Sequence, residues 1–133
     1  MADYFFHYTS RVVAQMVLAD GWLRPAGDSG GLWLSDELFT SAWEAADRLA
    51  IPPAGPPLGI QQTVTVHLTK PVEVVCCIPA VRLNTALLRF RGRAGPWRDV
   101  VSGRIIYSGG GRQYEYLGPV FVGDLAWVQL VTP

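Results

Sequence analysis

The chain is short of lysine, cysteine and charge. One lysine, Lys70, stands against ten arginines, and charged residues make up 17% of 133. Formal net charge is zero. A chain that grips nucleic acid is ordinarily basic, so generic nucleic-acid binding is disfavoured. Low charge together with 50% apolar content excludes a disordered chain. The two cysteines, Cys76 and Cys77, are adjacent. On a strand such neighbours point to opposite faces, so they make neither a disulfide framework nor a metal quartet. A reducing, cytoplasmic setting fits them best. Two histidines add no zinc spacing, and no metal is expected. No apolar run approaches the ~20 residues of a membrane span, and no charged segment leads into a signal-peptide core. The run Gly109 to Arg112 is not a phosphate loop, because no helix with a Lys-Ser or Lys-Thr pair follows it. No Ser-His-Asp arrangement is present either.

What remains is enough chain for one core, read as a single domain over 1–133. Asp3 to Tyr8 is aromatic and short, as a strand is. Thr9 or Ser10 can cap a helix over Arg11 to Asp20, with Val12, Val13, Met16 and Val17 on one face and Gly21 ending it. Trp22 to Arg24 reads as extended, Ala26 to Gly31 as a loop, and Gly31 to Ser35 as a buried strand. Ser35 or Asp36 caps a second helix, Glu37 to Ala50, with Leu38, Ala42, Ala46 and Leu49 as its stripe. Pro52 stops it, and Ile51 to Gly59 is a rigid surface connector.

Beyond Ile60 the period becomes two. Thr63 to Leu68 alternates as a half-buried strand, with His67 structural, and Glu73 to Ile78 is another. Val81 to Arg89 is a short helix or irregular. Arg91 to Val101 reads as loop, and its arginines (with Arg89) as a solvated face or a contact for an acceptor's phosphates. Arg104 to Tyr107, Tyr114 to Leu117 and Leu125 to Val131 complete the strands. Helices early and strands late make the fold class α+β.

Three stretches carry candidate chemistry: Phe5 to Ser10, Gly30 to Ser35, and Gly109 to Leu117. The last sets Glu115 just after three glycines, a loop read as flexible and able to approach a ligand closely. Of four glutamates, Glu115 alone has that context. Each residue also has an ordinary structural reading: a His at a strand end, a Trp in a core, a Glu on an exposed strand.

In order and local context the three stretches resemble the signature motifs of the ADP-ribosyltransferase family, in the branch whose triad is His, aromatic, Glu. The resemblance implies two facing antiparallel sheets with an NAD cleft between them. It implies that His7 bonds the adenine-side ribose of NAD, that Tyr8 grips the nicotinamide amide through its backbone, and that Thr9 supports His7. Trp33 stands where the family has Tyr, and would stack on the nicotinamide. Ser41 and Trp43 follow where the poly-ADP-ribose branch has a Ser and a later ring. Such rings stabilise a cationic π system by about 0.5–2 kcal/mol. Glu115 would bond the 2'-hydroxyl and stabilise the oxocarbenium-like transition state. Gln113 and Arg112 would lie towards the acceptor.

The implied activity is mono-ADP-ribosyl transfer from NAD to an acceptor left open. The resemblance extends to bacterial toxins and effectors, so a cognate antitoxin or immunity protein is an implied partner, and no membrane is. NAD hydrolysis at the same donor site, a non-catalytic nucleotide- or protein-binding module of that fold, and an unrelated α+β interaction domain are the alternatives.

Overall fold

The computed structural model describes residues 2–25, 31–51, 72–98 and 101–131. It is a mixed α+β architecture. Ten strands pair in antiparallel ladders, and two α-helices accompany them among the described residues. The expected strand Thr63 to Leu68, His67 within it, and the connector beyond Ile51 lie outside the described residues.

Strand β1 (Tyr4–Thr9) leads into α1 (Arg11–Asp20). Ser10 caps α1, its Oγ accepting the Val13 N–H at 3.3 Å, and Gly21 ends it at φ +82°. The apolar face expected of α1 is mostly open. Ala14 and Val17 are buried, but Val12 and Met16 are 65% and 69% exposed. A contact one residue wide per turn suffices here, because β1 and β2 (Trp22–Leu23) already fill the layer beneath the helix.

Helix α2 (Ala42–Leu49) starts five residues later than the sequence predicts. Its buried residues, Ala42, Ala45, Ala46 and Leu49, repeat at helical spacing. The segment before it is held out of helix by tertiary bonds. The Tyr8 hydroxyl accepts the Phe39 N–H and donates to the Glu37 carbonyl, both at 2.7 Å. Val131 donates its N–H to Thr40 and accepts that of Ala42. Leu38, expected in the stripe, is 54% exposed. Replacing Tyr8 by Phe leaves the buried Phe39 N–H without its acceptor. A loss of about 1–3 kcal/mol in urea unfolding is expected. A loss under ~0.5 kcal/mol would mean that this clamp does not hold the segment.

Strand β4 (Val74–Pro79) is the middle of one sheet, ordered β1-β4-β10, with β10 spanning Trp127–Gln129. Strand β8 (Arg112–Tyr116) is the middle of a second, ordered β3-β8-β5, where β3 is Leu32–Leu34 and β5 is Leu88–Arg93. Two-stranded ladders join β2 to β9 (Val120–Phe121), and β6 (Trp97–Arg98) to β7 (Ile105–Tyr107). Alternation along β1 sends Phe5 into one core with Leu32, Leu34 and Ile78, and Tyr8 into another beneath α2. Cys76 is buried and Cys77 half-buried, and both are free thiols. Burial pushes the Cys76 thiol up to about 12, so it stays protonated.

Two expectations are overturned here. The stretch from Arg91 is not all loop: Arg91 to Arg93 form the second half of β5, bulged between Phe90 and Gly92, and Trp97–Arg98 form β6. The glycines before β8 are not an open, flexible loop. The N–H groups of Gly109 and Gly111 donate to the Asp47 and Arg48 carbonyls, and that of Gly110 to Ala94, each at 2.8 Å. They take up carbonyls that the end of α2 would otherwise leave unpaired. Gly109 holds φ +75°, and a Cβ there would lie 2.4 Å from the Ala94 carbonyl oxygen. Glycine serves close backbone packing at this loop.

Candidate functional site

The site forms where the two larger sheets meet and part. Phe6 of β1 and Ser35 exchange both backbone hydrogen bonds, at 2.7 and 2.9 Å. The next pair in that register would be Tyr8 with Trp33, and it does not form. The strands split, and the His7 ring spans the gap with Nδ1 2.9 Å from the Trp33 carbonyl oxygen. A carbonyl only accepts, so Nδ1 carries the proton and Nε2 keeps its lone pair. Hydrogen bonding alternates along an antiparallel strand. Since Phe6 faces Ser35, the backbone N–H and C=O of Tyr8 also face the split.

Burial pushes the His7 pKa down, and the bond to the Trp33 carbonyl opposes this only in part. The unfolded chain takes up a proton near pH 6.5, and the folded chain only at lower pH. The unfolded state therefore binds more protons in the window below 6.5, and stability falls as pH drops through it. Urea unfolding between pH 7.5 and 5.5 is expected to show this slope, and His7→Gln to flatten it. An unchanged slope in the variant would show that His7 is not buried neutral.

Trp33 lies directly opposite Glu115 in the β3–β8 ladder, and Arg89 lies opposite Glu115 on the other side. Opposed residues share a face, so Trp33, Glu115 and Arg89 form a row across the sheet. Trp33 is 44% exposed between the buried Leu32 and Leu34. Glu115 is 7% exposed. Its Oε1 accepts from Arg91 Nε at 2.9 Å and also from Arg91 Nη2. Gly31 covers its other side so closely that a Cβ on Gly31 would sit 2.2 Å from Glu115 Cγ.

Two hollows flank the split, and His7 and Trp33 line both. One, of about 300 Å³, is completed by Phe6, Tyr8, Ser35 and Gln113 among others. The second, of about 430 Å³ on the α1 side, includes Thr9, Met16, Trp22 and Gly31. Glu115 lines neither. It sits directly behind Gly31, at the margin of the second hollow.

The residues singled out from sequence divide accordingly. His7, Tyr8, Thr9, Trp33 and Gln113 gather at the split, with Glu115 one strand further. The Tyr8 side chain points away, and burial raises its pKa so that the hydroxyl stays protonated. Ser41 and Trp43 are not brought to the split. Ser41 caps α2, its Oγ accepting the Glu44 N–H at 3.4 Å, and Trp43 lines a separate hollow with Asp47, Ile106 and Tyr107. Arg112 is committed to structure. Its Nε donates to Asp36 Oδ1 at 2.8 Å and its backbone N–H to Glu37 Oε1 at 2.7 Å. Gln113 Nε2 donates to the Leu49 carbonyl at 3.3 Å.

Sequence reasoning missed Arg91 as the partner of Glu115 and Gly31 as its cover. The signal for Arg91 was the alternation Arg89, Arg91, Arg93, which reads as a strand once Gly92 is taken for a bulge. In comparisons with protein families, curated proteins and solved structures, the chain matches none.

Proposed function

We propose that the chain is an ADP-ribosyltransferase-like enzyme that binds NAD across the split between β1 and β3. One observation carries the reading: His7, Trp33 and Glu115, distant in sequence, fall on three successive strands at one split, with His7 bonded to Trp33 across it and Glu115 opposed to Trp33 one strand beyond. The His7 Nε2 lone pair accepts a ribose hydroxyl. The Tyr8 N–H donates to the carboxamide oxygen of nicotinamide, and the Tyr8 C=O accepts from its NH2. The exposed Trp33 ring stacks on the cationic pyridinium. Glu115 accepts the 2'-hydroxyl of the adjoining ribose and stabilises positive charge at C1' as the bond to nitrogen breaks. The electron pair leaves with nicotinamide. The acceptor then bonds to C1' and gives up its proton to solvent. For this, Glu115 must loosen its bonds to Arg91, which is exposed enough to be hydrated when released.

The same pairing favours a second reading, a non-catalytic nucleotide-binding module in which Glu115 is structural. Nicotinamide release and NAD binding, measured on one preparation, separate the two. Release in buffer or in a lysate containing acceptors supports the enzyme. Calorimetric NAD binding without release in either selects the module. Absence of both removes NAD from the site.

A further inference from the structure

We propose that Arg89 and Arg91 of β5 form an anion subsite beside Glu115, one that holds the phosphate group of a phosphomonoester acceptor. The proposal rests on the transferase reading for the word acceptor, but the subsite is argued from the sheet. The ladder puts Arg89 directly opposite Glu115, where opposed residues hold their Cβ atoms ~5 Å apart, and Arg91, the bulged residue, reaches the same carboxylate through its hydrogen bonds. Arg91 donates to Glu115, which makes that pair neutral overall. Arg89 is exposed and has no hydrogen-bond or ion-pair partner among the described residues. Most other arginines are committed: Arg11 to Glu73, Arg24 to Asp20, Arg82 to Asp124, Arg112 to Asp36, and Arg93 and Arg98 to backbone carbonyls. Arg48 and Arg104 share its freedom, but neither is on β5. Arg93, at the other end of β5, keeps its charge but is held by the Gly110 carbonyl, so the uncancelled positive charge opposite Glu115 is that of Arg89.

Strand order says which ligand this charge meets. Across the split the sequence is β1, β3, β8, β5, and hence His7, Trp33, Glu115, Arg89. A dinucleotide running from His7 to Glu115 keeps its diphosphate between them. Arg89 lies beyond Glu115, on the outer strand of this sheet among the described residues, where a second molecule approaches C1'. A single guanidinium suffices for a carboxylate, as Asp36 and Asp124 show in this chain. Two guanidiniums borne two residues apart on β5, one with all its donors available, suit the three oxygens of a phosphate monoester.

The test is NMR of the arginine Nε–Hε groups in the full 15N-labelled chain, titrated with inorganic phosphate at constant ionic strength, with acetate in parallel. The expected result is saturable movement of the Arg89 and Arg91 signals with phosphate and at least ~10-fold weaker binding in Arg89→Gln, a loss of ~1.4 kcal/mol. Equal movement of Arg93, Arg98 and Arg104, or an equal response to acetate, would overturn it. The amide spectrum of the variant reports whether it is folded. No NAD is present in this titration. Phosphate binding without nicotinamide release would remove the transferase reading and keep the subsite. Release without phosphate binding would do the reverse.

Discussion

In Glu115→Gln, nicotinamide release from NAD is expected to fall by ~100-fold or more, with NAD affinity changed only a few-fold. The side chain keeps its size, so the cover by Gly31 is undisturbed. The amide oxygen can still accept from Arg91, so the link to β5 survives in neutral form. What is lost is the negative charge. In the ground state that charge does little for a neutral ribose hydroxyl. As the bond to nicotinamide breaks, C1' becomes cationic, and a buried carboxylate beside it, such as Glu115 at 7% exposure, stabilises it strongly. Removing such a group costs about 3 kcal/mol, which is ~100-fold in rate. Equal loss in kcat and kcat/KM is the signature of an interaction made only in the transition state. A variant within ~5-fold of the parent would show that the Glu115 charge is not used, and the binding-module reading would take its place.

How far the sequence foretold this arrangement depends on which forces set each element. Helix α1 was legible to the residue, because Ser10 and Gly21 act locally at its two ends. Helix α2 was not. Its start is decided by Tyr8, brought from β1 by the fold, and by Val131 near the far end of the chain. Propensity allowed helix from Glu37, and tertiary bonds overrode it. Strand β5 was hidden for a similar reason. Gly92 looks like a breaker in isolation, and the bulge that absorbs it exists only against β8.

The candidate site divides along the same line. His7, Trp33 and Glu115 could be chosen by local context, since each sits on a short strand beside a turn or glycine. Their placement on three successive strands beside one split depends on strand order, which no local pattern encodes. Ser41 and Trp43 lie at the start of α2, away from the split, Ser41 as its cap and Trp43 in its first turn. Arg91 could not be chosen as the partner of Glu115 until β5 was known to be a strand.

Gly31→Ala is expected to lower nicotinamide release about as far as loss of the carboxylate does, though no reacting group is removed. An added Cβ would lie 2.2 Å from Glu115 Cγ and 2.5 Å from Oε2. Such approaches are not tolerated, so one side must move by about an ångström. For Glu115 to rotate away it would have to break the bonds from Arg91 to Oε1 between the flanking positions of Trp33 and Arg89. The carboxylate, the Gly31 backbone, or both shift off position. A displacement of about 1 Å at a reacting group costs ~100-fold. Gly95→Ala is the matched control, because a Cβ there meets nothing within 4 Å. It is expected to leave release unchanged. The discriminating quantity is the split between binding and rate. NAD binding by calorimetry should survive in Gly31→Ala, since His7 and the Tyr8 backbone are untouched, while kcat falls. Release within a few-fold of the parent would mean that Glu115 does its work from a position that Gly31 does not define. Loss of NAD binding with full stability would move the role of Gly31 from placing the carboxylate to shaping the second hollow.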